Sequence, residues 1–416
     1  MEKKTLSFSQ NALWNTGGAL FYNLCLLATT MAVVRLTADF NAPGRLQLAM
    51  AVTNVFAVIS SWELKTSLVS DVRGRCSPGD YLALQWLTGG LALALCLGYA
   101  GLCGYGGGAL RVTGIYMLFR ALGSRAEVYY GVEQRRFRMD YLGISYILRG
   151  AGMLAAFALT LKLTASLAAA VAAMAGVTAL VLVLYDRRMA ASLETVKTEF
   201  SRAAAGRVLR ELFPAVLSLA LFTGAVTVPR QALEAMRGTE ALGIYATVAA
   251  PVVVLQVLAV GIFDPALRTA AECWDRGETK ALARLGGRLL SLLAGIGLLS
   301  LLAARLWGRW ALVLLYGESI APYSGLLGPV VVCAVLYAAC WLLSRMLIIL
   351  GEMKRQLLIT MISLAASALT ARSWIAGLGS NGVSWAVVTG YGLFFLLCIL
   401  YIAGRLRRRE REDHHE

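Results

Sequence analysis

Twelve long apolar runs constrain the fold of this chain more than any other feature of its sequence. A helix needs about 20 mostly apolar residues to cross the hydrocarbon core of a bilayer. The runs of this length are 10–35, 46–69, 80–103, 110–132, 139–162, 165–185, 211–234, 241–263, 283–305, 324–350, 356–376 and 382–404. Only 15% of the residues are charged and the mean hydropathy is +0.67, whereas roughly a quarter of a soluble domain is charged. We therefore predict an all-α polytopic membrane protein with twelve transmembrane helices.

The predicted spans divide into two lobes of six helices. We predict an N-terminal lobe at 1–186, a cytoplasmic amphipathic linker at 187–210, a C-terminal lobe at 211–404 and a basic cytoplasmic tail at 405–416. A short motif, Ser124-Arg125-x5-Gly131 followed by Arg135, recurs as Ser344-Arg345-x5-Gly351 followed by Arg355. Six spans in each half give both halves the same orientation, and parallel repeats of this kind are a common device of transporters.

The charge distribution argues against nucleic acid as a partner. The formal net charge is +15, but most of the basic residues lie in alternate loops and few lie in the loops between them. This asymmetry is the positive-inside pattern, and it predicts that both termini are cytoplasmic. The first apolar run is too long for the core of a cleaved signal peptide, so we expect it to remain as a signal anchor.

Cysteine and histidine give no indication of a metal site. The 8 cysteines lie mostly within spans and form no C-x-x-C pair, while His414 and His415 stand together in the charged tail. These patterns favour neither a metal site nor a disulfide framework. We expect no metal, no cofactor and no catalytic residue.

Basic residues within the spans are the first candidates for a functional site. Ionisable groups inside a bilayer usually face a bundle interior or a water-filled cavity and mark a substrate path. The candidates for substrate binding are Lys65, Arg120, Arg125, Arg149, Arg230 and Arg345. Arginine stays protonated and binds phosphate through two parallel hydrogen bonds, so this set suits a phosphate or pyrophosphate group. Two alternatives stay open: Lys65 reaches the membrane edge by snorkelling, and Arg230 pairs with Glu234.

Acidic and amide residues within the spans supply further candidates. Glu127 lies seven residues after Arg120 on the same helical face, and it is our first candidate for coupling transport to a proton or sodium gradient, with Glu63 second. The alternative for both is a fixed ion pair with a basic neighbour. Asn11 and Asn15 share one face of the first span, where they either line a lumen or form hydrogen bonds between helices.

Five groups of residues resemble those of a known family. They are Leu13-Trp14-Asn15-Thr16-Gly17, Gly44-x3-Leu48-Ala49-x-Ala51-x2-Asn54, Val69-Ser70-Asp71-Val72 with Asp80-Tyr81, Gln134-x3-Arg138-Met139-Asp140 with Arg149-Gly150, and Phe213-Pro214 with Pro229-Arg230. In order and spacing they resemble the Wzx-type O-antigen flippases, the polysaccharide transporters of the multidrug/oligosaccharidyl-lipid/polysaccharide (MOP) flippase superfamily. The sequence departs from this family at Trp62-Glu63-Leu64-Lys65 and at Gln85, where basic residues are frequent in relatives.

The resemblance implies a MOP/MATE-like bundle in the bacterial cytoplasmic (inner) membrane. Such a protein would move undecaprenyl-pyrophosphate-linked oligosaccharide to the outer leaflet by alternating access through a cationic lumen, in the biosynthesis of lipopolysaccharide and other surface polysaccharides. The partners implied are the lipid-linked oligosaccharide, membrane lipids, and the polysaccharide polymerase and glycosyltransferases of the same pathway.

Two other functions compete with this interpretation. A multidrug or cation antiporter of the same superfamily would need an acidic or aromatic cavity, which the basic excess argues against. A membrane-embedded glycan polymerase or glycosyltransferase would need catalytic carboxylates or histidine on an outer loop. The longest predicted outer connection, 306–323, contains Glu318 as its only acid and no histidine, so we predict that the protein is not an enzyme.

Overall fold

The helices of this chain follow the apolar runs closely. The computed structural model describes residues 8–37, 40–70, 76–194, 202–252, 269–270 and 272–413. Its α-helices are α1 (Phe8–Leu36), α2 (Asn41–Ser61), α3 (Leu64–Ser70), α4 (Pro78–Leu102), α5 (Gly107–Arg135), α6 (Met139–Thr164), α7 (Leu167–Val181), α8 (Arg187–Leu193), α9 (Arg202–Ala249), α10 (Thr279–Tyr316), α11 (Leu327–Ile349), α12 (Met353–Leu378) and α13 (Asn381–Asp413). No strand occurs in these residues, which confirms the predicted fold class.

Ten helical segments of the described chain are long and apolar enough to cross a membrane. The fourth predicted span, 110–132, is helical within α5 but is not apolar enough to be among these ten segments. The seventh predicted span and the first part of the eighth predicted span both lie in α9, which is interrupted at Gly238, where φ is 85°. All of 253–263, the remainder of the eighth span, lies outside the described residues, as do Asp71, His414 and His415. The chain is a multi-pass membrane protein.

The chain forms two compact units, Met1–Ala220 and Leu221–Glu416, which we call the N-terminal and C-terminal units. The division falls inside α9. The predicted linker at 187–210 contains α8, which continues the sixth span through a π-helical segment at Leu182–Asp186, and the first residues of α9. Its residues 195–201 lie outside the described chain. The predicted tail at 405–416 continues α13 as far as Asp413.

In the N-terminal unit, α5 packs against α2, α4 and α7, whereas α6 packs mainly against α1 and α7. The contact between α1 and α6 is unusually close at two glycines. A methyl group on Gly143 would lie 2.7 Å from the carbonyl oxygen of Trp14, and one on Gly18 would lie 2.8 Å from Cα of Gly143. Only glycine allows the two backbones to approach in this way.

The predicted second span, 46–69, is not one continuous helix. It begins at Asn41 and breaks between α2 and α3, where Trp62 and Glu63 have φ values of 45° and 53°. Two consecutive non-glycine residues in the left-handed region are uncommon and store backbone strain. The indole Nε1 of Trp62 donates to the carbonyl oxygen of Leu209 at 3.4 Å, and its ring packs on Phe213. These contacts hold the break in place.

The C-terminal unit packs α13 between α11 and α12. Its core includes Phe222 of α9, whose carbonyl oxygen accepts a hydrogen bond from the buried hydroxyl of Tyr391 at 2.8 Å. The prediction that residues 306–323 form a loop is wrong. Helix α10 continues through this segment to Tyr316, and a 3-10 segment follows at Glu318–Leu326. Trp307 and Trp310 are exposed on this extension, which suits the aromatic belt of a membrane interface.

Candidate functional site

A cavity of ≈ 150 Å³ lies within the N-terminal unit. Four helices supply its lining. Tyr22 comes from α1, Ala57, Val58 and Ser61 from α2, Phe119, Arg120, Gly123, Ser124, Glu127 and Tyr130 from α5, and Tyr146 and Arg149 from α6. The cavity therefore brings together three of the residues predicted from the sequence: Arg120, Arg149 and Glu127.

The α5 residues reach this cavity because of their spacing. Arg120, Gly123, Glu127 and Tyr130 follow one another at intervals of three or four, which places them on one helical face. Arg120 and Glu127 share the face that their separation of seven residues predicts. The side chain of Ser124 is bound to its own helix, since its hydroxyl donates a hydrogen bond to the carbonyl oxygen of Arg120 at 3.2 Å.

Arg149 is the most enclosed cation of the cavity, with 3% of its surface exposed. Its Nη1 donates to the hydroxyl of Tyr130 at 2.9 Å, and its guanidinium lies over the ring of Tyr22, 5.3 Å from the centroid. A methyl group on Gly123 would come within 3.1 Å of its Nη2, so this glycine gives the guanidinium its room. The Nε atom is buried without a hydrogen-bond partner, which is uncommon for a buried polar atom.

Tyrosine side chains complete the surroundings of Arg149. The hydroxyl of Tyr130 is also 2.7 Å from Oγ of Ser145. The ring of Tyr146 packs against Tyr130 with centroids 5.1 Å apart and against Tyr22 with centroids 5.6 Å apart. This aromatic cluster orients the guanidinium and excludes water from one side of it.

Glu127 faces a basic environment. The positive charges of Lys65, Arg120 and Arg149 all act on its carboxylate, together with the negative charge of Glu63. Among the ion pairs of the described residues, none shorter than 4.0 Å joins Glu127 to a basic side chain. The cavity thus contains two guanidinium groups and one carboxylate that is not locked to either of them.

Arg125 lies outside the cavity. It is five residues after Arg120, which puts it about 140° further around the helix. Its Nη1 donates to the carbonyl oxygen of Leu82 at 3.0 Å and to Oε1 of Gln85 at 3.4 Å, and its guanidinium lies 4.4 Å from the ring centroid of Trp86. These contacts join α5 to α4. Gln85 is part of the same junction.

Lys65 and Glu63 follow the break between α2 and α3 and do not line the cavity. The carboxylate of Glu63 accepts a hydrogen bond from the hydroxyl of Thr66 at 2.8 Å. The charge of Lys65 acts on Glu127 and also on Glu133. Both residues are near enough to influence the cavity through their charge.

The two asparagines of α1 are also placed away from the cavity lining. Oδ1 of Asn11 accepts from the backbone nitrogen of Met139 at 2.9 Å, which satisfies one of the unpaired N–H groups at the start of α6. This contact corresponds to the alternative of hydrogen bonding between helices. Asn15 lies one turn later and is partly buried. Tyr22, on the same face, does reach the cavity.

Arg230 and Arg345 belong to the C-terminal unit. Nε of Arg230 is buried without a hydrogen-bond partner, and the charge of Arg230 acts on the buried Tyr245 and Tyr391. Within the described chain no ion pair joins Arg230 to Glu234, whose carboxylate accepts from Thr239 at 3.3 Å. Arg345 lies over the ring of Trp341, 5.0 Å from the centroid.

The sequence interpretation did not identify the tyrosines on α5 and α6 or two buried carboxyl groups. Tyr130 and Tyr146 lie three residues from Glu127 and Arg149, so extending the same helical spacing would have found them. Glu133 and Asp186 are fully buried, and the charge of Asp186 acts on Glu133 and on Arg149. In the described residues, no group of three or more His, Cys, Asp or Glu side chains is placed to hold a metal ion.

Comparison with known proteins identifies the fold. No protein-family model matches the sequence, and no curated protein matches it. An inward-facing multidrug resistance MATE family transporter of the MOP superfamily matches with a TM-score of 0.75 and 14% identity, over 94% of this chain and 96% of that one.

Two further solved structures agree with this match. A MOP superfamily transporter from Pyrococcus furiosus, described by the reverse polarity of its binding pocket and a suggested different function, has a TM-score of 0.67 and 16% identity, over 98% of this chain and 100% of that one. The Vibrio cholerae MATE transporter VcmN in its bent form has a TM-score of 0.61 and 14% identity, over 96% of this chain and 97% of that one. This chain has the fold of the MOP superfamily transporters.

Proposed function

We propose that this protein is a flippase for undecaprenyl-pyrophosphate-linked oligosaccharide, acting by alternating access in the bacterial cytoplasmic membrane. The observation that supports this function is the pair of guanidinium groups, Arg120 and Arg149, in one cavity of a transporter fold. Neither guanidinium has an ion-pair partner within 4.0 Å among the described residues. A cavity with two available cations suits an anionic group such as a pyrophosphate.

The polarity of the cavity favours an anionic substrate over a cationic one. Arg120 and Arg149 outnumber Glu127, so the cavity carries a net positive charge even when the carboxylate is ionised. One structural neighbour, the Pyrococcus furiosus transporter, is described by a pocket of reverse polarity and a different function. A change of pocket charge on this fold is therefore a reasonable basis for a change of substrate class.

The remaining parts of the proposal extend from this cavity. Glu127 is the proposed coupling group for a proton or sodium gradient, with Glu63 as the second candidate. Lys65, Arg230 and Arg345 stay predictions from the sequence as substrate-binding residues. Arg125 was predicted from the sequence for the same role, but its contacts join α5 to α4. Both termini are proposed to be cytoplasmic, with membrane lipids, a polysaccharide polymerase and glycosyltransferases as partners in the same pathway.

A multidrug or cation antiporter is the second candidate function. Several neighbours in fold are described as multidrug MATE transporters, and the tyrosines around Arg149 together with Glu127 form a surface that could also bind an organic cation. No sequence or structural observation favours an enzyme, and the neighbours in fold are transporters.

Transport by the purified protein in proteoliposomes tests the proposal. We expect movement of a fluorescent undecaprenyl-pyrophosphate oligosaccharide between leaflets, loss of this movement in Arg120→Ala and Arg149→Ala, and partial recovery in the corresponding Lys variants. Ethidium uptake in the same vesicles serves as the drug-transport control. Uptake of ethidium without movement of the lipid-linked oligosaccharide would establish the antiporter and reject the flippase.

A further inference from the structure

A second cavity, entirely apolar in its side chains, lies in the C-terminal unit. Its volume is ≈ 230 Å³, and α10, α11 and α13 form its walls. Gly286 and Gly287 of α10 line one wall, Leu343 and Met346 of α11 form the floor, and Ile402 and Ala403 of α13 line the other wall. Nothing in the proposed headgroup site accounts for this cavity.

The cavity is a groove because two helices flank a third without closing over it. Both α10 and α13 pack along α11, whereas α10 and α13 touch each other at few points. Small residues keep the gap open, since Gly287 has no neighbouring heavy atom within 4 Å of the place where a side chain would begin. Gly287 and Ala403 are exposed on the two walls. The groove is therefore open along one side.

A stripe of basic residues runs beside the groove. Lys280, Arg284 and Arg288 follow one another at intervals of four on α10, so they form one stripe that borders the wall containing Gly287. All three side chains are exposed, and none has an acidic partner within 4.0 Å among the described residues. An apolar groove beside an unneutralised cationic stripe is complementary to a lipid that carries both a hydrocarbon chain and a phosphate.

The groove lies at the end of the C-terminal unit that the basic loops predict to be cytoplasmic. It extends from Leu282 to Leu290 along α10, which corresponds to about 12 Å of helix. This length covers most of one leaflet of the hydrocarbon core, which is about 30 Å thick in total. A chain in the groove would thus lie in the leaflet from which the proposed substrate starts.

We infer that this groove binds the polyprenyl chain of the lipid carrier, with a phosphate of the carrier on the stripe of Lys280, Arg284 and Arg288. The inference rests on the proposed function for its choice of lipid. The groove runs between two helices for about 12 Å, so it would hold a segment of one chain. A polyprenyl phosphate has a single chain, whereas a diacyl phospholipid has a second chain that would lie outside the groove. The groove holds the carrier near the cytoplasmic leaflet before its headgroup enters a binding cavity.

The test is a binding measurement on the full-length protein in nanodiscs with undecaprenyl phosphate, which has the chain and one phosphate but no sugar. Gly287→Leu places a larger side chain in the groove, and its Cβ would meet no protein atom within 4 Å. We expect this variant to weaken binding by ~10-fold through loss of apolar contact. Ala403→Leu, on the opposite wall, should act in the same direction. Gly295→Leu is the matched control, because Gly295 also has open space around it, lies two turns further along α10 and does not line the groove.

Competition identifies the lipid. We expect dioleoyl phosphatidylglycerol to leave undecaprenyl phosphate binding unchanged, and undecaprenol without a phosphate to bind at least 10-fold more weakly. Displacement by phosphatidylglycerol would overturn the inference in favour of an ordinary phospholipid site. If undecaprenol binds as tightly as undecaprenyl phosphate, the phosphate does not bind the stripe. If the Gly287→Leu and Gly295→Leu variants bind undecaprenyl phosphate equally well, the chain does not lie in the groove.

This measurement is independent of transport. If the protein binds undecaprenyl phosphate in the groove but does not move the lipid-linked oligosaccharide in vesicles, the proposed function fails and the binding site stands. The opposite result is also possible: the Gly287→Leu and Gly295→Leu variants could transport the lipid-linked oligosaccharide equally fast and bind undecaprenyl phosphate equally well. In that case the proposed function stands and the groove is not a carrier site.

Discussion

Arg120 and Arg125 lie five residues apart on α5, and the structure predicts opposite consequences for their replacement. Arg120 lines the cavity and has no ion-pair partner within 4.0 Å in the described chain. Arg125 binds α4 on another side of the same helix. Methionine is a suitable replacement for both, since it keeps the length and apolar stem of arginine and removes the charge. We expect Arg120→Met to impair ligand binding and Arg125→Met to impair stability.

The binding effect of Arg120→Met follows from the charge-assisted hydrogen bonds that a guanidinium makes to phosphate. A hydrogen bond to a charged group contributes about 1.5–3 kcal/mol, and each 1.4 kcal/mol changes an affinity tenfold. The Kd for a short-chain polyprenyl pyrophosphate should therefore rise by about 10- to 100-fold. The free energy of unfolding should change little, because the guanidinium of Arg120 is not used to join helices.

The stability effect of Arg125→Met follows from the contacts that it removes. Two hydrogen bonds, to Leu82 at 3.0 Å and to Gln85 at 3.4 Å, and the stacking on Trp86 at 4.4 Å would be lost. Hydrogen bonds between membrane helices contribute less than those in water-soluble proteins, about 0.6 kcal/mol on average, and an exposed cation–π contact adds about 0.5–1 kcal/mol. The total loss of unfolding free energy should be about 2 kcal/mol.

Both variants are to be measured in the same detergent by thermal unfolding and by titration with farnesyl pyrophosphate. The expected result is a lower midpoint with unchanged Kd for Arg125→Met, and an unchanged midpoint with higher Kd for Arg120→Met. Arg120→Lys should fall between wild type and Arg120→Met in affinity. If Arg125→Met raises the Kd as much as Arg120→Met does, the assignment of the cavity as the headgroup site is refuted.

Three further predictions concern other parts of the N-terminal unit. Gly143→Ala should destabilise the protein by about 1–3 kcal/mol, because the added methyl would lie 2.7 Å from a backbone oxygen of α1. Thermal unfolding measures this effect, with Gly17→Ala as the control because no atom lies within 4 Å of a methyl group there. Equal unfolding midpoints for the two variants would contradict the prediction. Asp80→Ala should cost about 1 kcal/mol of unfolding free energy, since it removes the capping box at the start of α4, and an unchanged midpoint would show that the cap contributes nothing. Glu127→Gln should make transport in vesicles insensitive to an imposed proton gradient, as the amide cannot exchange a proton; a response equal to that of wild type would exclude Glu127 as the coupling group.

Hydropathy predicted the spans well because length and apolarity are what a bilayer selects. It did not predict the break at Trp62 and Glu63, since neither glycine nor proline marks the position and the strained backbone is held by contacts with Leu209 and Phe213, far away in the sequence. It also ended the ninth span too early. Arg305 and Arg309 interrupt the apolar run, but both side chains stay exposed on the surface of α10 and the helix continues.

The candidate site was predictable where helical periodicity alone decides it. The face of α5 that carries Arg120 and Glu127 follows from their spacing. The spacing also puts Arg125 on another face, but the sequence analysis nevertheless placed Arg125 among the substrate-binding candidates. The partners of Arg149 were harder to predict, because they come from α1 and α5 and depend on how closely those helices approach α6. The glycine contacts that set this approach, at Gly18, Gly123 and Gly143, become informative only when the facing helix is known.

The close contact of α1 with α6 also determines which parts of the N-terminal unit can move together. The backbones touch at Gly18 and Gly143, and Gly150 packs on Cα of Tyr22, so α1 and α6 cannot approach more closely at these points and have little room to slide past each other there. We therefore expect α1 and α6 to move together, and with them Tyr22 and Arg149, which lie on these two helices. Arg120 is carried by α5, which packs on α2, α4 and α7 instead. A shift of α1 and α6 relative to α5 would change the distance between the two guanidinium groups. If the proposed function is correct, such a shift would also change the affinity of the cavity for a diphosphate.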